Sequence, residues 1–129
     1  LDFSNLDIDN VMISKSNNDC ADFSFGNYNI EKFNLNNCGD KALSVGERSV
    51  LNTNEAIISN SNIGIASKDS SIINVQETNI KNTKECLAAY NKKQEFSESY
   101  LKIKRSKCIN YYKMIDKDKF SHIEIIEEI

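Results

Sequence analysis

The chain has 129 residues, a formal net charge of −3 and 40% hydrophobic residues, which is enough for one domain with a buried core. Such a weakly acidic balance excludes the broad basic surface of a nucleic-acid binder, and no apolar run approaches the roughly 18 residues of a membrane span. Proline is absent, glycine is scarce, and neither Asn-Gly nor Asp-Gly occurs. The usual signals of tight antiparallel hairpins are therefore missing.

Short strand-like segments that end in apolar-x-Asn recur along the chain with spacings in the twenties. Each is followed by a polar turn and a second apolar segment, at residues 23–25, 42–45, 63–66 and 87–90. A repeat of this length, built only from strand-like pieces, predicts a parallel solenoid whose coils stack on one another.

In chain order, the coils are predicted over residues 1–26, 30–49, 50–71 and 72–90. A fifth coil from residue 100 matches less well, because Arg105 stands where the asparagine is expected, although residues 108–112 resemble residues 86–90. We therefore predict an all-β solenoid of about four to five coils over residues 1–112, with residues 113–129 as a C-terminal cap or the start of a further coil. Apolar positions in a common phase of the repeat predict the core: Leu35, Leu43, Val45, Ile58, Ile63, Ile65, Ile80 and Leu87.

The asparagines that end these segments are predicted to form a ladder: Asn10, Asn37, Asn60 and Asn82. Stacked coils place equivalent residues about 4.8 Å apart, so their amides can hydrogen-bond from coil to coil. Asparagine also tolerates the left-handed backbone of a sharp corner. The alternative interpretation is a row of amides that binds sugars.

Charged residues gather at the corners, and we consider them candidate ligand-binding residues: Asp40, Lys41, Glu47, Arg48, Lys68, Asp69, Lys92 and Lys93. On stacked coils they would form a polar strip within reach of sugar hydroxyls and uronates. The alternative interpretation is a solvated corner with alternating charges, in which each pair contributes little to stability.

The four cysteines include no closely spaced pair, so a zinc site is not expected. Cys86 and Cys108 are predicted to stack on adjacent coils, where a disulfide is geometrically feasible; we expect reduced thiols that fill space. His122, the sole histidine, is expected at the surface. The sequence predicts no metal, no cofactor and no catalytic residue.

Residues 39–47 and 61–71 resemble the later coils of bacterial right-handed parallel β-helix proteins of the pectate-lyase-like superfamily. The resemblance covers roughly residues 5–105, and some such proteins carry spore-coat-kinase-like modules of the CotH type at the cell surface. It implies a right-handed parallel β-helix. Superfamily enzymes cleave or epimerise acidic polysaccharides with Asp clusters, often calcium, and an Arg or Lys base; Asp40 and Asp69 do not occupy matching positions, and Arg48 and Arg105 are isolated.

We therefore expect a non-catalytic β-helix segment of a larger bacterial protein, one that scaffolds or weakly binds glycans. The absence of a starting Met favours a fragment, located at the cell surface or in the cytoplasm within a surface-polysaccharide pathway. Expected partners are polysaccharide and a second copy that associates through the solenoid ends. The alternatives are a lyase, hydrolase or epimerase acting on acidic glycans, and a piece of a trimeric fibre.

Overall fold

Seven parallel β-strands wind into one right-handed solenoid, in a computed structural model that describes residues 5–93 and 95–129. The predicted beginning of the first coil at residues 1–4 lies outside the described residues. The strands are β1 (Asn5–Ile13), β2 (Ala21–Ser24), β3 (Asn27–Gly46), β4 (Val50–Lys68), β5 (Ile72–Tyr90), β6 (Tyr100–Lys117) and β7 (His122–Glu128). The sheet order is β1-β3-β4-β5-β6-β7, with β2 also paired to β3.

The described residues form about six coils, slightly more than the four to five expected. The additional coil begins with β7, whose His122 pairs with Tyr100 of β6. The predicted C-terminal segment, residues 113–129, thus contains the end of β6 and the whole of β7. The all-β class and the parallel solenoid are confirmed.

Each long strand turns a corner without losing its pairing, because one asparagine adopts a left-handed backbone. Asn37, Asn60, Asn82 and Asn110 have φ angles of 57°, 58°, 59° and 59°. Asparagine adopts this conformation more readily than most residues, because its short polar side chain hydrogen-bonds locally. The corner therefore depends on the residue type as well as on packing.

The interior of the coils is an apolar column in which seven of the eight predicted core residues are buried: Leu35, Leu43, Val45, Ile58, Ile65, Ile80 and Leu87. Ile63 is only half-buried. It stands in register between Lys41 and Glu85, so it belongs to an outward-facing row directly after the corner. Its prediction as a core residue was wrong.

The register of the fifth coil differs from the predicted alignment, because residues 91–99 lengthen the connection between β5 and β6. Cys108 pairs with Ile80, and Ile115 pairs with Leu87. The proposed match of residues 108–112 to residues 86–90 was therefore wrong. Arg105 pairs with Glu77, while Asn110 occupies the corner.

Two disulfides join neighbouring coils, which corrects the expectation of reduced thiols. Cys20 is bonded to Cys38, with a Cα–Cα distance of 5.4 Å, and Cys86 is bonded to Cys108, with a Cα–Cα distance of 6.4 Å. Both distances lie in the range that a disulfide spans. The predicted proximity of Cys86 and Cys108 was right, and coil stacking brings the sulfurs within bonding reach.

Candidate functional site

The first segment of each coil presents a regular row of polar side chains to solvent. Its residues alternate between buried and exposed, so every second side chain points outward. We call this surface the amide face, because amides dominate its central coils. Its residues are Asp7, Asp9, Asn29, Glu31, Asn52, Asn54, Asn74, Gln76, Lys102, Lys104 and Glu124.

A ladder of hydrogen bonds runs along the middle of the amide face. Asn29 donates to Asp7 Oδ1 at 2.9 Å, Asn52 donates to Asn29 Oδ1 at 3.2 Å, and Asn74 donates to Asn52 Oδ1 at 3.0 Å. Beside it, Asn54 donates to Glu31 Oε2 at 2.7 Å. These bonds fix the orientation of the amides, so the unused donors and acceptors point in repeated directions.

The amide face encloses a shallow trough of about 390 Å³. It crosses four coils, because its lining includes Asp7, Asn29, Asn52 and Asn74. Three carboxylates (Asp7, Asp9 and Glu31) lie at one end of the face, and Lys102 and Lys104 lie on the fifth coil. The trough is long and open, as a linear polymer requires.

Sequence reasoning missed this row, although the signal was present. Asn29, Asn52 and Asn74 recur at the same interval as the corner asparagines. Asn52 and Asn74 also fit apolar-x-Asn, after Val50 and Ile72, whereas Asn29 does not, because Asn27 stands two residues before it. The repeat was aligned on the corner asparagines, so this second row was overlooked. A search for any residue type repeated at the coil period would have found them.

The predicted asparagine ladder exists at the corner, with a different membership. Asn82 donates to Asn60 Oδ1 at 3.1 Å, and Asn110 donates to Asn82 Oδ1 at 2.7 Å. The Asn60 amide donates at 2.9 Å to Asn36, the neighbour of Asn37. Because each of these bonds joins two coils, we assign the row to structure.

Asn10 does not belong to this corner ladder. It pairs in register with Lys32, several residues before the corner at Asn37. The interval between Asn10 and Asn37 exceeds one coil, which moves Asn10 to a different side of the solenoid. This position corrects its assignment to the ladder.

Asp40 and Lys41 form a local ion pair at the next corner. Lys41 Nζ lies 2.7 Å from Asp40 Oδ2 and 3.5 Å from Asp19 Oδ1. The hydrogen bond from Lys41 lowers the pKa of Asp40, with a further contribution from Lys68. Burial lowers the pKa of Lys41, but Asp40 and Asp19 outweigh burial and raise it. The pair is therefore already neutralised within the protein.

Glu47, Arg48 and Lys93 lie in the segments where the chain leaves its coils. Lys93 Nζ lies 3.1 Å from Glu47 Oε1, and this hydrogen bond raises the pKa of Lys93. The Arg48 guanidinium lies 5.3 Å from the centroid of the Phe96 ring, a distance at which a cation–π attraction operates. Glu47 and Lys93 therefore neutralise each other, while Arg48 contacts an aromatic ring.

Lys68, Asp69 and Lys92 complete the predicted strip, and the carboxylate of Asp69 is bound by the backbone. Asp69 is 1% exposed, and its Oδ1 accepts hydrogen bonds from the backbone nitrogens of Lys92 and Lys93 at 2.6 and 2.8 Å. Lys68 is 9% exposed and lies against Gly46. Asp69 therefore closes a turn and is not available to a ligand.

A carboxyl pair lies on a different side of the coil, where Glu85 and Asp116 contact each other. Burial and the hydrogen bond with Asp116 raise the pKa of Glu85. The hydrogen bonds from Glu85 and Lys113 lower the pKa of Asp116, and Lys113 Nζ lies 3.1 Å from Asp116 Oδ1. The pKa values of the two carboxyls are thus displaced in opposite directions, and Lys113 pairs with the more acidic one.

Within the part of the chain that the structure describes, no cluster of three or more His, Cys, Asp or Glu residues could hold a metal ion. No helix there is long and apolar enough to cross a membrane. Comparisons with protein-family models, with curated proteins and with solved structures returned no match.

Proposed function

We propose that this chain is a non-catalytic β-helix segment that binds a glycan along the amide face. The observation that carries the proposal is the ladder from Asp7 to Asn74, whose amides repeat at the spacing of the coils. An extended polysaccharide presents hydroxyl groups at a similar regular interval. Its binding needs many directed hydrogen bonds and an open trough, and the amide face supplies both.

The whole protein, in this proposal, is a larger bacterial protein at the cell surface or in a surface-polysaccharide pathway. Two disulfides between neighbouring coils support an oxidising location, because disulfides persist mainly outside reducing compartments. The parallel solenoid supports a relationship to the pectate-lyase-like superfamily, with a CotH-type module as a neighbour in the full protein. In this setting the segment acts as scaffold and glycan contact, and the solenoid ends serve self-association.

The test is isothermal titration calorimetry of the 129-residue protein against a panel of oligosaccharides that includes cellohexaose, xylohexaose, mannohexaose and oligogalacturonate. The variant Asn54→Ala with Gln76→Ala removes two amides from the trough without touching the ladder from Asp7 to Asn74. We expect about a tenfold weaker binding, because lost hydrogen bonds of this kind contribute about 0.5–1.5 kcal/mol each.

The matched control is Asn34→Ala with Asn79→Ala, which removes two polar side chains from another side of the same coils. We expect its affinity to equal that of the unmodified protein. If none of the panel binds, or if both double variants lose affinity equally, the amide face is not the binding surface.

A further inference from the structure

The trough of the amide face is lined by three carboxylates and, among the described residues, by no lysine, arginine or histidine. The carboxylates belong to Asp7 and Asp9 of β1 and to Glu31 of β3. All three residues are exposed, and the other polar side chains of the lining are uncharged. The trough therefore carries a negative charge that its own lining does not neutralise.

Asp9 and Glu31 lie opposite each other on neighbouring coils. The residues on either side of them are paired in register, so the two side chains extend from backbones about 4.8 Å apart. Two like charges at such short range repel each other. Within the described part of the chain, neither carboxylate forms an ion pair with a cation. A cationic ligand would relieve this repulsion.

The residues that directly follow the amide face in each coil form a different kind of row, in which charges alternate. Lys32 Nζ lies 3.2 Å from Glu55 Oε1. The Arg105 guanidinium lies 3.7 Å from Glu77 Oε2 and 3.8 Å from Glu127 Oε2. The trough has no such alternation, which separates its carboxylates from those that join the coils.

The carboxylates of the trough are oriented before any ligand arrives. Asn29 donates to Asp7 Oδ1 at 2.9 Å, and Asn54 donates to Glu31 Oε2 at 2.7 Å. Each bond uses one oxygen of its carboxylate and leaves the second oxygen for a ligand. Because these side chains are already held, a ligand that binds them pays little side-chain entropy.

The arrangement suits several separate cationic groups better than one metal ion. Among the described residues, no group of three or more possible ligand side chains could hold a metal, so the three carboxylates do not converge on a point. A protonated amine donates N–H bonds to a carboxylate, and such charge-assisted bonds are stronger than those between neutral groups. An amino sugar polymer carries these amines at regular intervals along a linear chain.

The other end of the amide face has the opposite charge. Lys102 follows Asn74 in register on the fifth coil, and Lys104 lies two residues further along the same strand. These ammonium groups would repel an amine, although Glu124 stands beside Lys102 in register. Cationic units of a bound polymer are therefore expected on the first two coils and not on the fifth.

We propose that Asp7, Asp9 and Glu31 form a subsite for protonated amino sugar units, so that the amide face prefers a glycan with free amino groups. This inference rests on the proposed function, since it names the class of glycan that the face binds. The amides of the central coils bind the hydroxyl groups of that glycan, and the carboxylates select its amines.

The test compares three β-1,4-linked hexamers by titration calorimetry: glucosamine hexamer, its fully N-acetylated form and cellohexaose. The three share one backbone and differ in the group at carbon 2. We expect glucosamine hexamer to bind about tenfold more tightly than either neutral hexamer, because only its amines are charged. Raising the salt concentration from about 0.05 M to about 0.5 M should remove most of this difference, because salt screens exposed charges.

The variant Asp9→Asn with Glu31→Gln removes both stacked charges and keeps an oxygen that accepts the bond from Asn54. We expect it to bind glucosamine hexamer about tenfold more weakly and cellohexaose within about twofold of the unmodified protein. The matched control is Glu95→Gln with Glu128→Gln, which changes the net charge equally at two exposed residues outside the trough. It should bind all three hexamers like the unmodified protein.

Thermal melting of both variants separates binding from folding, because neutralising two like charges should not lower the thermal midpoint. If cellohexaose binds and glucosamine hexamer binds no more tightly, the amino sugar subsite is overturned while the proposed function stands. An equal loss in the control variant would overturn the subsite too, because it would show general attraction to an acidic protein. Absence of binding by every hexamer and every other glycan of the panel would overturn the proposed function itself.

Discussion

At the scale of single residues, asparagine serves two roles that depend on the backbone beneath it. At the corners it adopts a left-handed backbone, as at Asn60 with a φ of 58°. On the amide face it lies in extended strand, as at Asn52. In both places the side-chain amide donates to the coil before it. A repeated asparagine therefore indicates that coils are stacked. Its backbone conformation determines whether it forms a corner or lies on an exposed strand.

Glu85 gives a prediction for pH dependence at this scale. Burial and its contact with Asp116 raise its pKa above the ordinary value of 4.5, so the folded protein favours the protonated form. Its contribution to stability is complete below about pH 4.5 and is lost as pH rises through the raised pKa. Glu85→Gln imitates the protonated carboxyl, and we expect it to stabilise the protein at pH 7 but not at pH 4.

The gain at pH 7 should be modest, on the order of 0.5–1 kcal/mol, since solvent screens the partly exposed pair. This corresponds to a rise of roughly 2–4 °C in the thermal midpoint. Glu55→Gln is the matched control, because Glu55 lies 3.2 Å from Lys32 rather than beside a carboxylate. A gain of equal size in Glu55→Gln, or a Glu85→Gln gain that persists at pH 4, would contradict the assignment.

At the scale of elements, the corner row joins β3 to β6, and its central member is Asn60. Asn60→Ala removes the donor to Asn36 and the acceptor from Asn82, and it places alanine in a left-handed backbone. We expect a loss of about 2–3 kcal/mol, of which about 1–2 kcal/mol is the backbone cost. Urea unfolding with circular dichroism measures it.

Asn60→Gly separates the two contributions, because glycine adopts the left-handed backbone without strain but has no amide. We expect it to lose about 1 kcal/mol, less than Asn60→Ala. Equal losses would show that the corner backbone contributes nothing. Unchanged stability in both variants, together with lost glycan binding, would assign the corner row to recognition rather than to structure.

The solenoid itself could be predicted from the sequence, because stacking repeats both the apolar phase of Leu35 and Ile58 and the corner positions of Asn37 and Asn60. The fifth coil could not, since the connection between Tyr90 and Tyr100 shifts the period. Local similarity then favoured the wrong alignment of Cys108. The disulfides were missed because spacing shows proximity and says nothing about oxidation.

The candidate site was predicted less well than the fold. The strip of charges was sought at corners, where Asp69 instead closes a turn with the backbone of Lys92. The amide face arises from polar residues within strands, where sequence patterns report only that a side chain points outward. The ring contact of Tyr100 with His122 depends on coils joined by a turn of irregular length. Such contacts can be predicted only when the register between neighbouring coils is known.

At the scale of the whole molecule, the sides of the solenoid differ in the polar groups that they expose. One side presents the amide face, with carboxylates at the first coils and lysines at the fifth. The corner charges neutralise one another, as in the pair of Asp40 and Lys41. Under the proposed function, the amide face is therefore the surface for a polymer, and the corner charges have a structural role.

The final prediction concerns catalysis: the 129-residue protein should bind polysaccharide without cleaving it. A catalytic groove needs an acid and a base that converge on one bond. Asp69 is buried in its turn, and Asp40 is paired with Lys41. Incubation with polygalacturonate, alginate and xylan, followed by absorbance of unsaturated products and reducing-end assays, should show no turnover.

If the protein were instead an enzyme, the carboxylates best placed to act on a bound polysaccharide would be Asp9 and Glu31, which occupy adjacent coils at the trough. Turnover that disappears in Glu31→Gln but persists in Asp40→Ala would make the amide face an active site of a lyase or hydrolase.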